Sequence, residues 1–130
     1  MFKNIFKKTY LMFNKVKVVH SIPGRIRLFI PSLDEFPEQM KKHEGYITAI
    51  IKLKNGINSI EYSYLTSKIL IEYDKAKLKE QDIVDWLNKI WKIIVDNEEV
   101  YQGMSVDEVD KNVKKFYEML KSELEGRINQ

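Results

Sequence analysis

The sequence has no cysteine and little glycine or proline, with five and three of these in 130 residues. The lack of cysteine excludes a disulfide framework, thiol catalysis and any zinc or copper site built on thiolates, and it leaves the redox compartment open. The glycines are scattered and form no phosphate-binding loop, and no G-x-S-x-G or similar nucleophile motif is present. We therefore expect neither catalysis nor a bound cofactor.

Long apolar runs are also missing from the sequence. No stretch approaches the roughly 18 apolar residues of a membrane-spanning helix, and the N-terminus lacks the apolar core and cleavage site of a secretory signal. Hydrophobic residues nevertheless make up 44% of the chain and charged residues 32%, which is typical of a folded domain with a solvated surface. We expect one domain and a cytoplasmic location, either free or peripheral to a membrane.

Acidic residues are absent from the first 33 positions, which carry seven Lys and Arg residues. The remaining 97 residues hold 15 basic and 19 acidic groups. A basic head on an acidic body favours an anionic partner, which is a phospholipid surface, a nucleic acid or an acidic protein. The alternative is that the head lies against the acidic body of its own chain.

Residues 2–14 have the spacing of a short amphipathic helix, with apolar side chains three and four positions apart. Its lysines lie away from the apolar stripe, as in helices that rest in a membrane interface. The residues expected to contact a membrane or a partner are Lys3, Phe6, Lys7 and Phe13. The alternative for this N-terminal unit, 1–14, is packing on the protein's own core or on a second subunit.

The central unit, 15–97, shows the pattern strand, helix, strand, strand, helix. Strand character over 16–30 is interrupted at Pro23-Gly24, which predicts one broken strand or two short ones. The elements that follow are a helix over 34–54, strands over 57–65 and 68–73, and a helix over 78–94. This order is the split β-α-β pattern of a ferredoxin-like α+β sandwich, and a fourth strand has a candidate only near Val100. The predicted core contains Ile26, Leu28, Ile50, Ile60, Ile71, Ile83, Leu87 and Ile90.

A further helix is expected in the C-terminal unit, 98–130. Ser105 and Glu108 have the spacing of a capping box at its start. Its apolar stripe consists of Val106, Val109, Val113, Phe116, Tyr117, Leu120 and Leu124. Because two helices already cover one face of a small sheet, we expect the stripe to cover the other face, to pack on the N-terminal helix, or to form a homodimer.

Three short motifs occur in order: H-S-I-P-G-R-I-R over 20–27, N-G-I and then S-I over 55–60, and S-K-I-L-I-E-Y-D over 67–74. Together they resemble the heavy-metal-associated-like domain, over roughly residues 18–95. The resemblance implies a ferredoxin-like domain of metal homeostasis, as at the front of metal-transporting P-type ATPases and in separate metal-handling proteins, including iron-storage systems. The chain lacks the C-x-x-C pair with which metal-carrying relatives bind soft ions, so we do not expect it to carry copper or zinc.

Within the first motif, Arg25 and Arg27 project from one strand face, which suits a phosphate, a carboxylate or an acidic partner. The expected partner-binding residues are His20, Gly24, Arg25, Arg27 and Phe29. The alternatives are cross-strand ion pairs of the arginines with Glu61 or Glu72, a structural hydrogen bond for His20, and a bulge at Gly24. His43 is predicted to lie on the surface.

The expected function is a non-catalytic docking domain whose partner is a metal-transport ATPase or a related component. One alternative is direct binding of a hard divalent metal ion, either by His20 or by Asp34, Glu35 and Glu38, three residues that also suit the start of a helix. A second alternative is binding of RNA or an anionic membrane. Nucleic acid is disfavoured because the aromatic and glycine run of RNA-recognition sheets is absent.

Overall fold

A computed structural model describes residues 16–30, 33–97, 99 and 103–128. The elements are strands β1 (Lys17–Ile22) and β2 (Arg25–Phe29), 3-10 helices at Leu33–Glu35 and Glu38–His43, helix α1 (Glu44–Ile51), strands β3 (Ile57–Ser63) and β4 (Lys68–Tyr73), and helices α2 (Glu80–Asp96), α3 (Val106–Lys111) and α4 (Val113–Ile128). One face of a four-stranded antiparallel sheet packs against helices, which confirms the ferredoxin-like α+β sandwich. The predicted N-terminal helix, with Lys3, Phe6, Lys7 and Phe13, lies outside the described residues.

The fourth strand comes from a different part of the chain than predicted. The sheet order is β1-β2-β4-β3, and β1 pairs with β2 as a hairpin, so 16–30 forms two strands. Pro23 and Gly24 form the two-residue turn, and the φ of 87° at Gly24 suits the third position of a type II turn. The sheet edge beside β2 is thus occupied by β1, which precedes β2 in the chain. In the described part of the chain no strand follows α2, and Val100 lies outside that part.

The core lies between the sheet and helices α1 and α2. Alternation along β2 and β4 directs Ile26, Leu28, Ile69 and Ile71 toward the helices. Of the eight residues predicted for the core, seven are buried and Ile60 is half-buried. The indole N–H of Trp86 donates to the carbonyl of Ile51 at 2.8 Å, so the polar atom of this buried side chain is satisfied where α2 meets α1.

The first helix differs from its predicted extent. The single helix expected over 34–54 is broken into 3-10 turns, and only Glu44–Ile51 is α-helical. Pro37 has an extended backbone, with ψ of 130°, and a proline also disfavours helical geometry in the residue before it. Asp34 therefore does not cap this helix. Its carboxylate instead accepts a hydrogen bond from the Ser67 hydroxyl at 3.1 Å.

The C-terminal helix starts where the capping box predicts. The Ser105 hydroxyl accepts from the backbone N–H of Glu108 at 3.1 Å, and the helix is interrupted at Asn112 between α3 and α4. Its stripe does not cover the outer side of the sheet, which was one of the three expectations, and packing on the N-terminal helix lies outside the described residues. Leu124 is fully buried in the main core, and α4 packs on α1 and α2, forming a further layer outside them. A homodimer through this helix remains a prediction. The stripe that suggested it is buried or half-buried within the chain.

Candidate functional site

The sheet face opposite the helices carries the motif residues in three cross-strand rows. Directly paired residues of antiparallel strands point to the same face, so the register defines each row. From β1 to β3 the rows are Lys17–Phe29–Lys68–Ser63, His20–Arg27–Leu70–Glu61 and Ile22–Arg25–Glu72–Ser59. We call this surface the outer face. It carries His20, Arg25, Arg27 and Phe29, and their role in partner binding stays a prediction.

The outer face is open in the part of the structure that is described. Its residues on β1, β2 and β3 are exposed, apart from the half-buried Phe29. Leu70 is the exception at the centre, where neighbouring side chains leave it only 9% exposed. A shallow concavity of about 280 Å³ lies there, lined by His20, Ile22, Arg25, Arg27 and Leu70. Sequence reasoning missed Ile22 and Leu70, although the alternation through Arg25 and Arg27 already placed their neighbours on this face.

The two arginines have no acidic partner within the described residues. Arg25 lies directly across from Glu72, and Arg27 is separated from Glu61 by Leu70. Neither arginine forms a salt bridge or a side-chain hydrogen bond with any described residue. The cross-strand ion pairs considered as an alternative are therefore absent between these four residues. Toward the described part of the chain, both guanidinium groups keep their donors available for a ligand.

Charge is distributed unevenly over the outer face. Lys17, His20, Arg25 and Arg27 lie on β1 and β2, whereas Glu61 and Glu72 lie on β3 and β4. Lys68 is the one basic residue on the acidic half. The face therefore presents a cationic half and a mainly anionic half on either side of the apolar centre at Leu70.

Gly24 has a structural position at the edge of this surface. Its positive φ and its carbonyl, which accepts from the Tyr73 N–H at 2.9 Å, hold the β1–β2 turn against the end of β4. A Cβ at this position would lie 3.2 Å from the Tyr73 carbonyl oxygen. The bulge expected here lies instead in β1, where the register shifts between Val18 and His20.

Asp34 and Glu38, the two acidic metal-ligand candidates whose side chains are described, bind other residues. No group of three or more His, Asp or Glu side chains with metal-binding geometry occurs among the described residues. Asp34 is bonded to Ser67, and Glu38 pairs with Lys41 at 2.7 Å on the surface. The side chain of Glu35 lies outside the described part.

His43 is not a free surface residue, in contrast to its prediction. It is half-buried and its Nε2 contacts the carboxylate of Asp110 in α3, while Lys42 reaches the same carboxylate at 3.1 Å. The hydrogen bonds from His43 and Lys42 lower the pKa of Asp110 from 3.8 to about 2. This cluster fastens the C-terminal helix to the segment before α1. It has no sequence signal, since its members are far apart in the chain.

Three aromatic rings stack in series on the helix side of the sheet. Tyr64 stacks on Phe36 and on Tyr62, with ring centroids 5.9 and 6.0 Å apart. Burial raises the pKa of Tyr62 to about 12, against the opposing effect of its hydrogen bond with Thr48. Burial and the Glu44 carboxylate also raise the pKa of Tyr64. These groups stay neutral and serve packing.

The sequence matches a known protein family over almost its whole length. The model of the family described as heavy metal associated domain 2 matches residues 2–128. The chain belongs to this family. No curated protein and no solved structure gives a significant match. Membership makes metal handling the functional context of the domain, in agreement with the resemblance found in the motifs. None of the helices in the described ranges has the length and apolar character to cross a membrane.

Proposed function

We propose that this heavy metal associated domain is a non-catalytic accessory module that docks on a protein of a metal-handling system through its outer face. The observation that carries the proposal is the open position of Arg25 and Arg27, the two arginines of the family-like motif, which have no acidic partner among the described residues. By resemblance the partner is a metal-transporting P-type ATPase or an iron-storage component.

The donor groups of the chain favour docking over metal carriage. The sequence has no thiolate for a soft ion, and the described carboxylates and histidines form no cluster that suits a hard one. Two guanidinium groups that have no acidic partner among the described residues suit docking on an acidic protein surface, because guanidinium groups bind carboxylates with two parallel hydrogen bonds.

The test measures binding of the full chain to the cytosolic domains of the metal-transporting ATPase and to the iron-storage protein of the same organism, by biolayer interferometry. We expect saturable binding to one of them, weakened at least tenfold by Arg25→Glu with Arg27→Glu. The matched control is Lys114→Glu with Lys115→Glu, the same charge change on exposed positions of α4. Absence of binding to both, or equal loss with the control, contradicts the proposal.

Calorimetric titration of chelator-treated protein addresses the alternative of a hard metal ion. Docking without a metal predicts no heat of binding for Mg²⁺, Mn²⁺ or Fe²⁺. One-site saturation below about 10 μM would support direct metal binding instead.

We also propose a cytoplasmic location and the division of the chain into a basic segment 1–14, the sandwich 15–97 and the C-terminal helix region 98–130. The basic composition of the first segment supports contact with an anionic surface. Lys3, Phe6, Lys7 and Phe13 are the residues proposed for that contact.

A further inference from the structure

We infer that the outer face recognises a short extended segment of the partner in which an acidic and a basic residue flank an apolar one. This inference rests on the proposed docking function and specifies the chemistry of the docked segment. It is argued from the middle row of the face, His20–Arg27–Leu70–Glu61.

The middle row changes from cationic to apolar to anionic across the sheet. Arg27 on β2 and Glu61 on β3 are both exposed, and Leu70 between them is the apolar centre of the face. Ile22, which is 48% exposed, lines the same concavity from β1, with β2 between it and Leu70. An apolar side chain of a ligand placed there would lose its contact with water against both residues.

The spacing of this row sets the spacing in the ligand. Neighbouring strands lie about 4.8 Å apart, so Arg27 and Glu61 are separated by roughly 10 Å across the face. Side chains on one face of an extended peptide lie two residues, or about 6.8 Å, apart, so three of them span about 14 Å, and the long side chains of Arg27 and Glu61 reach over the difference. The segment therefore carries its acidic and basic residues four positions apart, with the apolar residue midway between them.

The concavity is shallow and lies at the lower limit of the sizes of small-molecule sites. Its volume of about 280 Å³ lies below the 300–1,000 Å³ of typical small-molecule sites and suits one or two side chains. Its wall also combines guanidinium groups with aliphatic carbon, whereas a site for a free anion requires only the former.

A nucleic acid is a poorer fit to the same surface. RNA-binding sheets stack bases on two or three aromatic side chains, and the half-buried Phe29 is the one Phe, Tyr or Trp in the three described rows. A phosphate backbone crossing the face would also meet Glu61 and Glu72. A peptide with charges of both signs meets a complementary group on each half.

The chain's own basic head matches only part of the face. Residues 1–15 carry four lysines and no acidic residue, so they suit Glu61 and Glu72 but offer no carboxylate to Arg25 and Arg27. Charge complementarity thus points to a separate protein segment.

The test is selection from a phage-displayed library of random seven-residue peptides on the immobilised full chain, followed by fluorescence anisotropy with the enriched peptides. We expect a shared pattern of an acidic and a basic residue four positions apart, with an apolar one midway between them. Arg27→Glu and Glu61→Lys should each weaken binding at least tenfold. The variant Lys114→Glu with Lys115→Glu should bind as the wild type does, and circular dichroism checks that all variants are folded.

Several results overturn the inference. One is an enriched set without the basic residue, and another is equal binding by the wild type and the Arg27→Glu or Glu61→Lys variant. Tighter, Arg27-dependent binding of a 20-nucleotide oligouridine or of phosphatidylserine vesicles would assign the face to polyanions.

If the ATPase or iron-storage protein binds through the arginines while no peptide pattern emerges, docking stands and only the segment chemistry is wrong. If peptides bind and both proteins do not, the assignment to the metal-handling partner is wrong.

Discussion

Gly24 links the family-like motif to the turn that creates the sheet edge. At its φ of 87° a side chain is strained, and a Cβ would approach the Tyr73 carbonyl oxygen to 3.2 Å. We therefore expect Gly24→Ala to reduce the free energy of unfolding by about 1–2 kcal/mol, measured by urea denaturation.

The control for this glycine is Gly45→Ala in α1. Gly45 has no atom within 4 Å of a built Cβ and lies in a helix, so alanine there should stabilise the protein by about 0.5–1 kcal/mol. Equal effects of the two substitutions would show that the turn imposes no special backbone requirement.

Asp110 gives the protein a defined acid response. Because its pKa is about 2 in the folded protein, below its ordinary 3.8, its contribution to stability is present above pH 3.8 and is lost as the pH falls toward 2. We expect Asp110→Asn to lower the melting temperature at pH 7 and the difference from wild type to close between pH 4 and pH 2.

Asp96→Asn is the comparison for that measurement. Asp96 is exposed and pairs with Lys92 at 3.3 Å one helical turn away, an arrangement that contributes little to stability. We expect a small change in melting temperature at pH 7. A constant difference between wild type and Asp110→Asn from pH 7 to pH 2 would contradict the role given to Asp110.

The candidate surface could be predicted in part from single residues. Strict alternation places Arg25, Arg27 and Phe29 on one side of β2, and the structure agrees. The contact of His43 with Asp110 could not be predicted, because no local spacing connects residues so far apart in the chain. The same holds for Ser67, whose bond with Asp34 replaces the expected helix cap.

At the scale of elements, α4 belongs to the core of the fold. Leu124 is fully buried in the main apolar cluster, so Leu124→Ala should lower the free energy of unfolding by about 2–5 kcal/mol. Leu65→Ala is the matched control, since Leu65 is 92% exposed at the β3–β4 turn and its truncation should change stability by at most about 0.5 kcal/mol. Denaturant midpoints measure both. A similar, small effect of the two would mean that α4 is dispensable for folding.

The elements were predictable where the pattern is local. Strands β3 and β4 and helix α2 follow from periodicity and turn residues within one or two residues at most ends. The extent of α1 was not predictable from its apolar spacing, because Pro37 divides the segment into shorter turns. The packing partner of the C-terminal stripe could not be predicted either. The sequence does not show that α1 and α2, which cover the sheet, also pack against α4.

At the scale of the whole molecule, the excess of positive charge in the first 33 residues gives a testable membrane prediction. The full chain should sediment with vesicles that contain phosphatidylserine, and a chain truncated to begin at Lys15 should lose most of this binding. Rising salt should weaken it, because ions screen charges over about 10 Å at 0.1 M. If the full chain stays in the supernatant when the vesicles are pelleted at low salt, the basic segment has another role.

The origin of β1 affects how the sheet assembles. A strand contributed after α2 would have to close a long loop to reach β2, and each doubling of loop length costs about 0.6 kcal/mol of chain entropy. β1 reaches the same edge across Pro23 and Gly24 alone, so its pairing adds only contacts between near neighbours in the chain. Such short-range contacts lower the contact order and favour rapid folding. The strand that carries His20 and Ile22 to the outer face is therefore the one whose pairing depends least on prior ordering of the rest of the domain.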